Sequence, residues 1–276
     1  MTILGAFGRL DLLLPLLTAH LLADFVFQTD RMAAGKDRRG VLLGHVGVVA
    51  AASWLLVSPT ATGLPLILLV ALFHLLIDLA KIAVERGTLG PEPGGAPGPE
   101  PAGFWPRNGR PTLFLADQAL HAASLIAAVV LIERLPVVST PSPGTGVWIS
   151  AFGTPYLRLL ILASGGIVAT TGVGYFFAHF LARFEIELDP DQRGGLPGGG
   201  YWIGVTERSL IYLFILLGEP TGIGFLAAAK SVFRIGELKD SKDRKLAEYI
   251  LIGTLLSFAV AMLVGLVARR MLDLVR

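Results

Sequence analysis

Residues Thr18–Asp30 read TAHLLADFVFQTD, with a histidine and an aspartate four apart inside an otherwise apolar run. His20, Asp24 and Gln28 recur at i, i+4 and i+8. On a helix that spacing aligns them on one face, about one turn apart. The run around them, Leu10–Gln28, is long and apolar enough to span a membrane. An aspartate near the bilayer centre costs roughly 2.5–3.5 kcal/mol on insertion scales. Ionisable residues at that depth are rare and mark functional sites when partners can be named.

Composition sets the class. Of 276 residues, 53% are hydrophobic and 16% are charged, and the mean hydropathy is +0.67. Soluble domains carry about 25% charged residues. The expected fold is therefore an all-α polytopic membrane protein. The formal charge of +2 comes from Arg and Lys at segment ends, which implies no nucleic-acid partner. The absence of cysteine excludes disulfides, thiolate metal sites and a cysteine nucleophile. The N-terminus shows no charged n-region followed by a cleavage site, so the first run is expected to stay as a helix.

Further apolar runs follow at Val41–Ser58, Leu64–Val84, Thr112–Ile132, Tyr156–Ala182, Tyr201–Leu217, Gly222–Phe233 and Tyr249–Ala268. About seven or eight transmembrane or re-entrant helices are expected from these runs. Pro/Gly-rich loops are expected at Gly87–Pro111 and Leu135–Pro155, the second with an interfacial turn at Trp148. The polar segment Arg183–Gly200 and the charged segment Glu237–Glu248 separate the later runs. The small residues Gly165, Gly166, Gly172 and Gly174 would let a neighbouring helix approach closely. A division into residues 1–134 and 135–276 is expected, the first carrying the His/Asp residues and the second a separate set of buried charges.

Basic residues give the orientation. Arg31, Lys36, Arg38 and Arg39 follow the first run, and Lys81, Arg86, Arg107 and Arg110 follow the third, while Pro59–Gly63 carries none. The positive-inside rule places those two basic loops in the cytoplasm and the N-terminus outside. Arg269 and Arg270 then fall on the side the rule disfavours.

All five histidines lie in apolar runs. His20 precedes Asp24 by four residues, His74 precedes Asp78 by four, and Asp117 precedes His121 by four. The inversion in the third pair matches a helix running outward rather than inward. Each aspartate then lies ~8–10 Å below the cytoplasmic surface, with its histidine about one turn deeper. His45 falls ~6 Å below the start of its helix on the same rise. Four helices thus bring His20, Asp24, His45, His74, Asp78, Asp117 and His121 to one slab of the membrane. Imidazole with carboxylate suits Zn first, and also Mn, Fe, Ni or Co. Seven ligands exceed one tetrahedral zinc, so one or two divalent ions are expected. Lys81, three residues after Asp78, could neutralise a carboxylate or contact substrate, or snorkel to the surface. Gln28 and Gln118 are expected to support the ligands from behind. Asp30 is expected as a cap or loop residue, and His179, with no acidic neighbour, as a packed core residue.

The last third carries Glu207, Arg208, Glu219, Lys230, Arg234 and Glu248 within apolar sequence. Neighbouring Glu207 and Arg208 point about 100° apart and cannot pair with each other. Lys230 and Arg234 share a face and need anions. Those anions are either acidic residues in a buried ion-pair network or the anionic group of a lipid-like substrate held by Lys81, Glu207, Arg208, Lys230 and Arg234. Gly218, Gly222 and Gly224 permit a tight break between the two short segments.

The strings HLLADFVFQTD, LLGH, FHLLID and FLADQALH resemble the bacterial inner-membrane family catalogued as domain of unknown function 3307, over about Leu12–Ile132. GFLAAAKSVFRIGELKD followed by AEYILIGTLLS resembles the C-terminal block of longer members. The resemblance implies a bacterial inner-membrane location and supports the residue set, without implying a reaction. The residues themselves point to a metal-dependent hydrolase acting on an anionic, lipid-linked substrate. Asp24 or Asp117 would be its catalytic base. An ion- or proton-coupled transporter or channel using the same cluster is the alternative.

Overall fold

The structure, a computed structural model, describes residues 9–88, 111–134, 147–181, 198–235 and 241–275. Of these, the side chains of Asp30 and of residues 87–88, 233–235 and 241–247 are not described. Most of the expected loops, at 89–110, 135–146 and 182–197, lie outside the described residues.

Every regular element among the described residues is helical. Helix α1 (Leu10–Leu22) runs into a π turn (Ala23–Phe27), and a short α2 (Asp30–Ala34) follows. Then come α3 (Arg39–Val57), α4 (Leu64–Thr88), α5 (Pro111–Arg134) and the short α6 (Val147–Phe152). Helices α7 (Thr154–Ile167) and α8 (Val173–Leu181) are joined through a second π turn (Val168–Gly172). Helices α9 (Gly199–Leu217), α10 (Thr221–Ile235) and α11 (Ser241–Leu274) complete the chain. Seven stretches are long and apolar enough to cross a membrane. They are α1 with its π turn, α3, α4, α5, α7–α8, α9 and Glu248–Leu274 of α11; the apolar part of α10, Thr221–Val232, is shorter. The protein is a multi-pass all-α membrane protein.

The chain forms two compact units. One holds the described residues up to 88, with 115–134, 147–164 and Val275; the other holds 111–114, 165–181, 198–235 and 241–274. The division falls within α7.

In the first unit, Leu12, Leu16, Val49, Ile67, Val70, Leu125 and Val129 form one buried core from α1, α3, α4 and α5. Helix α4 shows how the sequence sorts its faces. Ile67, Val70, His74 and Asp78 point inward, while Leu68, Leu72, Leu76 and Leu79 stay 46–67% exposed. An outward leucine stripe suits hydrocarbon rather than water. The interior is joined by polar contacts as well. The Thr18 hydroxyl bonds the Leu14 carbonyl and the Ser164 hydroxyl, both at 2.8 Å, and so links α1 to α7. Thr29 caps α2 by accepting from the Met32 N–H, so Asp30 opens that helix and does not cap it. The turn expected at Trp148 is α6. Its indole N–H donates to the Leu55 carbonyl at 2.6 Å, and the Tyr156 hydroxyl donates to that of Leu56. Both carbonyls lie in the last turn of α3, where helical partners run out.

In the second unit, Ile211, Phe258 and Ala261 form a small core, with Ile223, Leu226 and Met262 against it. Two of the expected glycines act as contact points. A methyl at Gly165 would collide with the Tyr212 hydroxyl, and one at Gly174 would stand 3.0 Å from Arg208 Nη2. Gly218, at φ +78°, ends α9 in the left-handed conformation that glycine tolerates. A methyl at Gly222 would press on the Phe214 ring, whereas Gly224 faces open space and the break does not require it. Arg269 donates to the Ile215 carbonyl at 3.0 Å at the end of α9. That bond gives Arg269 a structural place whichever side of the membrane it occupies.

Candidate metal centre

The seven residues singled out in the sequence meet in the first unit. His20 lies on α1, Asp24 in the π turn, His45 on α3, His74 and Asp78 on α4, and Asp117 and His121 on α5. All are buried, none more than 9% exposed. The π turn begins one residue before Asp24 and so sets its direction. Such turns insert an extra residue into the helical register and recur at functional sites. The helix then stops at Phe27, and Gln28 is extended at φ −74°, ψ 106°. The i, i+4, i+8 face therefore breaks at its third member. Gln28 keeps a buried amide oxygen without a hydrogen-bond partner, and no described contact ties it to the cluster.

The centre is built around four atoms from three segments. His45 Nε2 lies 3.0 Å from His74 Nε2, 3.3 Å from Asp24 Oδ1 and 3.8 Å from Asp78 Oδ2. His74 Nε2 lies 3.7 Å from the same Asp24 oxygen and 3.6 Å from the same Asp78 oxygen. These five separations span 3.0–3.8 Å. Three donors about 3.5 Å apart, the arrangement of His45, His74 and Asp78, share a point about 2.0 Å from each, at the short end of the roughly 2.0–2.2 Å range of Zn–N and Zn–O bonds. Asp24 Oδ1 is buried and has no hydrogen bond of acceptable geometry. Two nitrogens and two carboxylate oxygens at this spacing are a donor set that fits a divalent cation of the zinc class.

Beside these four atoms stands a second group. His121 Nδ1 is 2.9 Å from the Asp117 backbone carbonyl. A carbonyl can only accept, so Nδ1 carries the proton and Nε2 keeps its lone pair. That Nε2 is buried with no partner, as is Asp117 Oδ1. The His121 ring stacks on His20 at 4.8 Å and lies 4.3 Å from the His74 ring. His20 stands behind Asp24, its Nδ1 3.8 Å from Oδ1.

Two lysines close the cluster. Lys81 bonds Asp117 Oδ2 at 3.0 Å rather than pairing with Asp78 on its own helix. Gln118 donates to the same oxygen at 3.2 Å, the supporting place expected of it. Asp78 is instead held through both oxygens, each 3.1 Å from Lys36 Nζ. Lys36 sits between α2 and α3, just after a turn at Gly35 where a methyl would meet the Arg31 carbonyl at 3.0 Å. Its sequence position suggested only a topology signal. Three carboxylates against two ammonium groups leave the cluster with one net negative charge when the imidazoles are neutral.

The other charged residues lie in the second unit and are engaged there. Lys230 pairs with Glu207 and lies 5.7 Å from the Phe258 ring centroid. Arg208 is buried and donates to the Thr170 carbonyl from Nε at 3.2 Å and Nη2 at 2.9 Å. Its remaining nitrogen reaches Ser257 Oγ at 3.5 Å. Arg234 lies on α10, with its side chain outside the described residues. His179 bonds the Tyr175 carbonyl at 2.7 Å and stacks on Phe114, as a packed histidine does.

Residues 12–142 match the model of the family described as "Protein of unknown function (DUF3307)". This part of the chain, just under half of it, is similar to DUF3307 proteins. It contains all seven clustered residues together with Lys36, Lys81 and Gln118. The tail block GFLAAAKSVFRIGELKD lies beyond it. No curated protein and no solved structure matches the chain.

Proposed function

We propose that the protein is an integral membrane metal-dependent hydrolase acting on an anionic, lipid-linked substrate. One observation carries the reading: His45, His74, Asp24 and Asp78 present four buried donor atoms, five of their separations lie at 3.0–3.8 Å, and the Asp24 oxygen lacks a hydrogen bond. Without a cation, the two facing Nε2 atoms must share a proton and that oxygen stays uncompensated, a cost of about 1–3 kcal/mol or more for a charged group. A zinc-class ion removes both problems. Such an ion supplies Lewis acidity and lowers the pKa of a bound water.

The two carboxylates considered for catalysis then divide. Asp24, which faces both imidazoles, would hold the ion. Asp117 would be left to act on the water. Lys230, Glu207 and Arg208 have internal partners, so the role of holding the substrate's anionic group passes to Lys81 and Lys36. Both are partly exposed and border the buried acids. With a dication held there, Lys36 and Lys81 would be repelled from the acids and freed to reach the substrate. The basic residues after the first and third runs support a cytoplasmic mouth and an N-terminus outside, in a bacterial inner membrane.

The test is elemental analysis of purified full-length protein beside His45→Ala and Asp78→Asn, with hydrolysis assayed on phospho- and acyl-lipid panels. About one or more zinc-class ions per chain, lost in both variants along with turnover, is the expected result. A metal-free parent would sink the proposal. Cation flux into liposomes without hydrolysis would hand the site to a transporter.

A further inference from the structure

We propose that Asp78, Asp117 and His121 form a second divalent-cation site beside the first, with Asp78 shared between the two. The inference rests on the metal reading above and makes Asp117 a ligand of the second ion in place of the base. A carboxylate oxygen from each aspartate and a ring nitrogen of His121 lie within 4.8 Å of one another, and all three residues are buried. Two of the available atoms, Asp117 Oδ1 and His121 Nε2, have no partner. The bond from His121 Nδ1 to the backbone fixes the ring as metal-binding histidines are commonly fixed, through the nitrogen that does not ligate. Asp78 Oδ2 faces His45 and His74 in the first site, and both Asp78 oxygens lie 3.1 Å from Lys36 Nζ. A carboxylate oxygen has lone pairs for more than one partner, so Asp78 can serve both sites.

Charge gives the independent support. Without ions, Lys36 and Lys81 bring two positive charges to Asp78 and Asp117, the charge of one dication. They are stand-ins for the second ion. Both side chains are partly exposed and can withdraw outward along their stems. Two dications then face three carboxylates, and one anionic oxygen completes neutrality. That oxygen defines the substrate class: a single charged oxygen, as in a phosphodiester or carboxylate group, placed between two ions. Paired ions about 3.5–4 Å apart are suited to clamping the attacking and leaving oxygens of such a group.

The experiment uses full-length protein in detergent, stripped with chelator and reloaded with Co(II) alone. Cobalt per chain is measured by elemental analysis and ion–ion coupling by low-temperature electron paramagnetic resonance. Two ions per chain with a coupled signal are expected for the parent. Asp117→Asn and His121→Ala should each fall to one uncoupled ion, whose retention also shows that the fold survives. Lys81→Gln should half-fill the second site at a severalfold lower cobalt concentration. One ion in the parent, lost on His45→Ala, overturns the second site and leaves the first standing. Two ions retained in Asp117→Asn and His121→Ala overturn it as well. Weaker cobalt binding in Lys81→Gln overturns the stand-in role. No ion in the parent overturns both proposals.

Discussion

The first unit and the second both bury charged side chains in apolar helices, and they treat them in opposite ways. In the second unit the buried charges find protein partners: Lys230 meets Glu207, and Arg208 meets the Thr170 carbonyl. In the first, Asp24 Oδ1, Asp117 Oδ1 and His121 Nε2 are buried without a hydrogen bond. Native interiors rarely leave such atoms so without a reason. A completed network holds helices together; an incomplete one of mixed imidazole and carboxylate is what the proposed cation would complete. The contrast teaches that counting charges in a membrane sequence does not locate a site. What locates it is which charges remain unanswered after folding.

The sharpest way to break the comparison is to exchange the two regions in one assay. His45→Ala should abolish the tightly bound ion, whereas Glu207→Gln should leave metal content unchanged, both read by elemental analysis. An equal loss in both would erase the distinction. The next effect is on stability. Glu207→Gln strands the partly exposed Lys230 ammonium, and losing a hydrogen bond to a charged group of this kind costs about 1.5–3 kcal/mol. Thermal unfolding in detergent should show a clear drop, and an unshifted midpoint would mean the pair is not structural. A smaller effect is expected at Gly204. An added methyl would stand 2.8 Å from Arg208 Nη1, and overpacking of this kind costs about 1–3 kcal/mol. Gly204→Ala should lower stability and spare the ion, while a stable variant would show that the arginine has room to shift.

Much of the centre was legible in the sequence because its signal is local. Three His/Asp pairs at a spacing of four, in runs whose only other charges are Asp11 and Lys81, announce themselves, and reversed chain direction explains the reversed third pair. The helices were legible for the same reason, with apolar length alone giving seven spans. What escaped depends on tertiary contact. Lys36 looks like any basic residue beside a membrane helix until Gly35 turns it onto Asp78. Lys81 has an aspartate three residues before it on its own helix, yet pairs across to α5. No residue pattern announced the π turn, so Gln28 was projected onto a face that the helix never reaches.

That extra residue at Ala23–Phe27 also makes the centre fragile in an unusual sense. Every ligand could be retained and the site still lost by a change in phase. Deleting Ala23 would carry Asp24 about 100° around the axis, one residue's rotation, away from the imidazoles. Insertions and deletions of one residue in this turn are therefore as informative as changes to the ligands themselves. Across related chains, the length of the HLLAD-to-QTD interval should be guarded as strictly as its histidine and aspartate.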